Sequence, residues 1–244
     1  MTPSQAHSIY RDLVLSRLPA DMRVGFFLAF CRTFGVASIG GLLASTGQTI
    51  EHARRRAAGT RDTMYALFRH GFDEPEGAAA VQRLNRVHSR FAISNDDHRY
   101  VLGCLAVVPT RFAGRFGLRA LTGEEITATH VFYRHLAGLM GIESVPDTYE
   151  GFEAWFDAYD RDHLVAHPAA GPLVSVSRRL LVHRVPSPLR PLAVRFIDAV
   201  LGERLRAAAS IDRPGWPVRA SLQGMVRLRR LLPPATTAAV ISPR

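Results

Sequence analysis

The chain has 244 residues, of which 47% are hydrophobic and 21% are charged, the composition of a globular protein with a substantial core. Its formal net charge is +10, and all 31 of its Lys and Arg residues are arginines. The absence of lysine excludes a Walker A site and any Schiff-base lysine. Because the arginines are spread along the chain, the charge predicts no nucleic-acid partner.

The N-terminal region predicts no secretory signal, because residues 1–18 lack an apolar core segment. The most apolar stretch, 24–43, contains Arg32 and several glycines, which favours core helices over a membrane span. Cys31 and Cys104 lie in apolar surroundings without CxxC spacing, as buried thiols in a reducing compartment do. We therefore predict a cytoplasmic protein without a transmembrane segment. Peripheral membrane contact and a homodimer stay open.

Helical periodicity recurs along the whole chain, and no stretch shows the alternation typical of a strand. Thr2, Thr122 and Thr148 are predicted N-caps. We expect helices over 3–18, 20–33, 36–44, 60–69, from 75 through His88, from 96 to Pro109, over 122–140, 148–163, 172–184, 190–207 and 217–231. Residues 52–59 are interpreted as a basic connection, Pro109 as a break, and the tail after 232 as loose. The fold class predicted is all-α.

The segment 85–105, together with the helical residues just before it, carries the most specific pattern. Four residues are spaced to share one helical face: Val81, Leu84, His88 and Phe91. Three arginines share a neighbouring face: Arg83, Arg86 and Arg90. A histidine within an apolar stripe, with arginines close by, suits a haem ligand. A hydrogen-bonded core histidine gives the same pattern, so the residues alone leave both interpretations open.

Other motifs are weaker. Arg56 and Thr60 have the R-x3-T spacing of one helical face, although an exposed arginine and an N-cap threonine share that spacing. His163 and His167 form an H-x3-H pair that one helical turn could present to a metal, but Pro168 ends the turn. Four further histidines are interpreted as surface residues near helix ends: His52, His70, His98 and His183. Neither a serine nucleophile elbow nor a dinucleotide loop is present.

In their order along the chain, these segments resemble the MpaB-type oxygenase family, the DUF2236 group that includes the latex-clearing rubber oxygenases. The similar segments are 30–47, the pair Arg56 and Thr60, 85–102, 109–125 and 138–162, with a looser match ending at 228–234. The resemblance implies one globin-like helical domain over 1–244, with its core at about 20–232. It also implies b-type haem and the oxidation by O2 of a small apolar substrate, isoprenoid or polyketide in character.

The resemblance further implies roles for three residues. His88 matches the proximal ligand of the haem iron, and Arg56 and Thr60 match the signature pair beside the haem, which makes them the expected catalytic residues. We expect one ring nitrogen of His88 to bind iron and the other to donate to a helix-end or backbone acceptor. Arg86, like Arg56, is expected to pair with a haem propionate or to stabilise the oxygen ligand.

The resemblance fails at some positions. Ala58 and Gly59 replace charged residues, Phe112 and Leu118 stand where members have tryptophans, and Glu51 does not match the base proposed for the rubber enzymes. Because of these differences, the resemblance does not identify the substrate. Two alternative functions stay open: a haem sensor or carrier without turnover, and a haem-less helical binding protein or non-redox enzyme.

Overall fold

A computed structural model describes residues 1–47, 52–183 and 185–231. Every regular element within these ranges is helical, and pairing of the β type is limited to one isolated bridge between Val36 and Leu164. The all-α prediction is confirmed. Glu51 and the predicted tail lie outside the described residues. None of the described helices is long and apolar enough to cross a bilayer.

The helices are labelled in chain order. They are α1 (Pro3–Asp12), α2 (Pro19–Thr33), α3 (Ala37–Ser45), α4 (Ala53–His70), α5 (Pro75–His88), α6 (Asn95–Phe116), α7 (Gly123–Leu139), α8 (Tyr149–His163), α9 (Ala170–Val182), α10 (Arg190–Val200), α11 (Glu203–Ala208) and α12 (Trp216–Leu231). A π-helical turn, Leu13–Arg17, continues α1, and a 3-10 turn, Ser187–Leu189, precedes α10.

The predicted caps form as the sequence indicates. The Thr2 hydroxyl accepts from the Gln5 N–H at 3.3 Å, and the Gln5 side chain accepts from the Thr2 N–H at 3.0 Å. Thr122 and Glu125 make the same reciprocal pair at the start of α7, while Thr148 caps α8. Each cap supplies acceptors for N–H groups that have no partner inside the helix. These three helix starts are therefore local properties of the sequence.

Three predicted boundaries are wrong. The segment 52–59 is not a connection, because α4 already begins at Ala53. Helix α6 continues through Pro109, although an interior proline costs about 3 kcal/mol or more. The expected helix 190–207 divides at Leu201–Gly202 into α10 and α11.

Tertiary packing accounts for the proline. Helix α6 makes its most extensive contact with α2, where a Cβ added to Gly25 would lie 2.5 Å from the Pro109 Cα. The two backbones meet closely at that point, and both residues are buried. Burial of this face stabilises α6 as one continuous helix, which is why the local signal at Pro109 does not end it.

A buried carboxylate links four helices, of which α6 is one. The side chain of Asp160 is fully buried, and its two oxygens accept from Nε and Nη2 of Arg32, each at 2.6 Å. Tyr100 donates to the same carboxylate at 2.9 Å, and Arg204 at 3.1 Å. Because Arg32, Tyr100, Asp160 and Arg204 belong to α2, α6, α8 and α11, this network fixes those helices relative to one another.

Cys31 and Cys104 are both free and fully buried, which confirms the expectation of buried thiols. Burial raises the pKa of each thiol well above its ordinary value, so both groups stay protonated. Neither cysteine is placed to act as a thiolate.

Candidate functional site

A hairpin of two helices brings the candidate residues together. Helix α4 ends at His70 and is followed by Gly71, whose φ of +70° favours glycine, and α5 packs back along α4. The turn is tight, because a Cβ added to Gly77 would lie 1.9 Å from the Gly71 carbonyl oxygen. Arg56 and His88 each lie about 20 Å from this turn, since a helix rises about 1.5 Å per residue. Because the two distances are nearly equal, the start of α4 lies beside the end of α5.

Arg56 and Thr60 occupy one face of α4, as their spacing predicts. Nη1 of Arg56 donates to the Thr60 hydroxyl at 2.6 Å, and that hydroxyl donates to the Arg56 carbonyl oxygen at 3.1 Å. Arg56 is half-buried, and burial lowers the pKa of its guanidinium. The result is a partly desolvated cation whose direction is set by the threonine one turn away.

His88 is the last residue of α5 and is half-buried. Its Nδ1 atom is buried and has no hydrogen-bond partner among the described residues. Burial lowers the pKa of His88 to about 4, and repulsion from His98 and Arg56 acts in the same direction. The imidazole is therefore neutral near pH 7, the form that binds a metal ion. The sequence analysis expected one ring nitrogen of His88 to donate to a helix-end or backbone acceptor, and Nδ1 has no such acceptor among the described residues.

His98 is the residue at this site that the sequence interpretation missed. It belongs to the first turn of α6 and is half-buried rather than a surface residue. Its ring meets the His88 ring nearly at right angles, with the centroids 5.2 Å apart and the planes at 73°. Burial lowers the pKa of His98, while the charge of Asp97 opposes that shift. The sequence did contain a signal for this position: Ser94 caps α6, and the cap places His98 in the first turn of that helix.

Asp97 fixes the position of His98. Its buried carboxylate accepts from the hydroxyls of Ser38 and Tyr159, both at 2.8 Å, and its backbone N–H donates to the Ser94 hydroxyl at 3.0 Å. The start of α6 is thereby tied to α3 and α8. His98 is carried on this anchored turn, so the contact between the two histidines is held from outside the α4–α5 hairpin.

The expected apolar stripe ends at His88 instead of continuing past it. Val81 is buried, but α5 stops at His88, and Phe91 lies beyond the helix with 39% of its surface exposed. Val87 is also exposed. Arg86 lies on the solvent side of α5, so Arg56 rather than Arg86 is the arginine whose charge acts on His88. The site is thus an apolar surface at the open end of the hairpin.

The alternative metal pair is not assembled. The Nε2 atom of His167 hydrogen-bonds to the Phe34 carbonyl oxygen at 2.7 Å, while His163 stacks on Tyr159 with ring centroids 4.1 Å apart. Within the described ranges, the one cluster of three potential metal ligands is His70, Glu74 and Glu76, at the opposite end of the hairpin from His88. Glu74 and Glu76 are exposed.

A family model described as "ER-bound oxygenase mpaB/B'/Rubber oxygenase, catalytic domain" matches residues 16–234. The chain belongs to this family. The match contains the α4–α5 hairpin, the start of α6 and the buried Asp160 network, so the family's catalytic domain extends over nearly all of the described fold. The resemblance inferred from the sequence segments is confirmed.

Two fungal members of the mpaB/rubber oxygenase family illustrate the similarity. The chain is 26% identical over 265 residues to the ER-bound oxygenase mpaB' of Penicillium brevicompactum, covering 99% of the chain and 63% of that relative. It is 25% identical over 227 residues to the ER-bound oxygenase mpaB of Penicillium roqueforti (strain FM164), covering 85% and 76%. The chain thus spans less than two thirds of the length of mpaB'. Since both relatives are named ER-bound, a cytoplasmic location for this chain stays a prediction.

Proposed function

We propose that this chain is a haem-dependent oxygenase that binds b-type haem through His88 and oxidises a small apolar substrate with O2. The observation that carries the proposal is the buried, unpartnered Nδ1 of a neutral His88 beside the Arg56–Thr60 pair. The names of the family and of its members support the oxygenase class. An isoprenoid or polyketide substrate is proposed on the same family basis.

The residues present fit haem in three respects. An imidazole held in its neutral form is the usual donor to haem iron, and a buried nitrogen without a partner is otherwise costly. Arg56 offers a partly desolvated cation to a propionate carboxylate. Val87 and Phe91 present exposed apolar surface next to His88, which suits both a porphyrin face and an apolar substrate.

Bound haem would supply the activation of O2, and the chain's own residues would do the rest. His88 would hold the iron and set its position. Arg56, directed by Thr60, would bind a propionate by charge-assisted hydrogen bonds and so fix the macrocycle. His98, anchored through Asp97, would restrict the orientation of the His88 ring. The exposed apolar side chains would orient the substrate and exclude water.

Haemin titration of the purified chain tests the cofactor. We expect a Soret band with the wild type, and we expect His88→Ala to lose it while keeping the wild-type circular dichroism spectrum. His70→Ala is the matched control, because His70 lies at the other end of the hairpin and pairs with Glu74. If the wild type develops no Soret band, or if His88→Ala develops the same band, the haem assignment is wrong.

Oxygen uptake separates the oxygenase from the haem sensor or carrier. The haem-loaded protein is mixed with an alkene-bearing isoprenoid lipid, and O2 consumption is followed together with product formation. An oxygenase consumes O2 in a fixed ratio to product. A Soret band without substrate-dependent uptake would favour the sensor or carrier for this substrate class.

A further inference from the structure

We propose that a second cavity, remote from His88, binds a phosphate-bearing anion. The cavity has a volume of about 410 Å³ and lies between the C-terminal end of α6, the α10–α11 junction and the first turns of α12. Arg115 of α6 lines it, whereas His98 is in the first turn of the same helix, about 25 Å away at about 1.5 Å rise per residue. The cavity therefore does not belong to the candidate haem site.

The lining of the cavity is strongly cationic. Four arginines and a single carboxylate, that of Glu203, contribute to it; the arginines are Arg115, Arg206, Arg213 and Arg219. The salt bridges found within residues 1–47, 52–183 and 185–231 include none of these four guanidinium groups. The nearby carboxylate of Asp198 is already taken, because it accepts from Arg178 at 2.6 Å.

The contacts that these arginines do make are with neutral groups. Arg115 lies over the ring of Phe116, with 5.0 Å from its Cζ to the ring centroid. Arg206 donates to the carbonyl oxygens of Leu201 and Asp198. The Nε atom of Arg219 is buried and has no acceptor among the described residues. Several N–H donors around the cavity are thus left without an anionic partner.

Arg206 lies close enough to two of the other arginines, Arg213 and Arg115, for their charges to repel. The pKa of Arg206 is lowered, first by burial and further by the charges of Arg213 and Arg115, although Glu203 and Asp198 oppose the shift. Like charges held together in a concave, partly desolvated place raise the free energy of the site, and an anion entering the cavity lowers it. Electrostatics therefore favours an anionic ligand.

The geometry of the donors and the size of the cavity indicate the ligand class. Guanidinium groups match phosphate oxygens, often with two parallel hydrogen bonds. A volume of about 410 Å³ is within the range of small-molecule pockets and exceeds what one phosphate fills. Trp216 and Phe116 add apolar surface to the lining. The ligand is a phosphate or diphosphate that carries an apolar group, either a free molecule or a lipid headgroup.

Tryptophan fluorescence gives a direct test. The chain has two tryptophans, so Trp155→Phe leaves Trp216, in the cavity wall, as the reporter. Titration with sodium pyrophosphate at constant ionic strength should give a saturable change in emission. Arg213→Gln/Arg219→Gln should weaken the apparent affinity at least tenfold. Calorimetry repeats the titration on the wild type without any tryptophan substitution.

The control variant must also lose two positive charges, but at positions outside the cavity. Arg195→Gln/Arg227→Gln removes two exposed arginines of α10 and α12 that do not line the cavity, and it should bind pyrophosphate like the parent. Circular dichroism and thermal unfolding confirm that both double variants are folded. The proposal is overturned if the parent shows no saturable binding, or if the two double variants lose affinity equally.

Vesicle sedimentation identifies the source of the phosphate. Vesicles of phosphatidylcholine alone are compared with vesicles that contain phosphatidic acid in phosphatidylcholine. A lipid headgroup is the source if the phosphatidic acid vesicles retain the protein and the cavity variant, but not the control variant, releases it. Pyrophosphate binding without such cavity-dependent retention assigns the site to a free phosphorylated molecule.

Discussion

The guanidinium of Arg56 and the hydroxyl of Thr60 are 2.6 Å apart, one turn along α4. Because the same hydroxyl also donates to the Arg56 carbonyl oxygen, the threonine links the arginine's backbone to its own side chain. A β-branched residue has few rotamers in a helix, so the hydroxyl stays in place. The R-x3-T spacing thus orients the Arg56 guanidinium toward the end of α5, where its charge acts on His88.

We expect Thr60→Val to weaken haemin binding about fivefold, because a hydrogen bond to a charged group contributes about 1 kcal/mol or more and valine keeps the shape of threonine without the hydroxyl. Haemin titration followed at the Soret band measures the effect. Thr60→Ser, which keeps the acceptor, should bind like the wild type. Equal affinities of the valine variant and the wild type would show that Thr60 does not direct Arg56.

Asp160→Asn should destabilise the protein by about 3–5 kcal/mol, since it leaves the Arg32 guanidinium in a buried place without its charge partner. Denaturant unfolding at neutral pH gives the measurement. Asp157→Asn is the matched control on the same helix: Asp157 pairs with Arg111 at 2.7 Å, but both side chains are about 40% exposed, and the expected loss is at most about 1 kcal/mol. Similar losses in the two variants would contradict the role assigned to burial.

The stability of the protein should fall in acid through Glu125. The Arg119 guanidinium holds the pKa of this carboxyl at about 2, with help from the Thr122 N–H and against the effect of burial. The unfolded chain, with an ordinary pKa of about 4.5, then binds more protons than the native state between pH 4.5 and 2. This contribution is complete above about pH 4.5 and is lost as the pH falls toward 2.

Glu125→Gln should therefore lower the free energy of unfolding at pH 7 by about 1–3 kcal/mol and flatten its dependence on pH below 4.5. Glu124→Gln, at an exposed position in the same first turn, should change neither quantity appreciably. Chemical unfolding at a series of pH values from 7 to about 3 provides the comparison. A Glu125→Gln curve parallel to the wild type throughout would rule out this carboxyl as the source.

Gly77→Ala should destabilise the protein by at least about 2 kcal/mol, because the new Cβ would meet the backbone oxygen of Gly71, which cannot move without opening the hairpin turn. Gly224→Ala is the control, in an exposed stretch of α12 where a Cβ meets nothing. It should stabilise by about 0.5–1 kcal/mol through helix propensity. Thermal unfolding of both variants checks that one loses stability and the other gains it. A destabilisation by Gly77→Ala well below this value would mean that the turn can relax.

Local chemistry explains what the sequence predicted well. The caps at Thr2, Thr122 and Thr148 depend on residues three positions away, and the helical periodicity depends on neighbours a few positions away. The prediction failed where distant contacts dominate. Pro109 stays inside α6 because α2 packs against it, and nothing near Pro109 in the sequence shows that partner.

The residues of the candidate site also fall into those that the sequence predicted and those that depend on tertiary contacts. The face shared by Arg56 and Thr60 follows from spacing along one helix, and His88 follows from the family resemblance. His98 was missed because its contact with His88 depends on how α6 leaves the loop after α5. The four cavity arginines come from α6, α11, α12 and the loop before α12, and in the sequence they look like part of a dispersed charge.

The cations that line the second cavity are all arginines, and this has one more consequence. Arginine does not release its proton in proteins under ordinary conditions, so the four positive charges around the cavity are constant, whereas histidines or lysines in their place would titrate. A change of affinity with pH then cannot originate in these arginines, and the ionisation of the ligand becomes its expected source. A phosphate monoester gains its second negative charge near pH 6, so its binding should tighten through that range and become level above it. The cavity would thus report the ionisation state of its ligand.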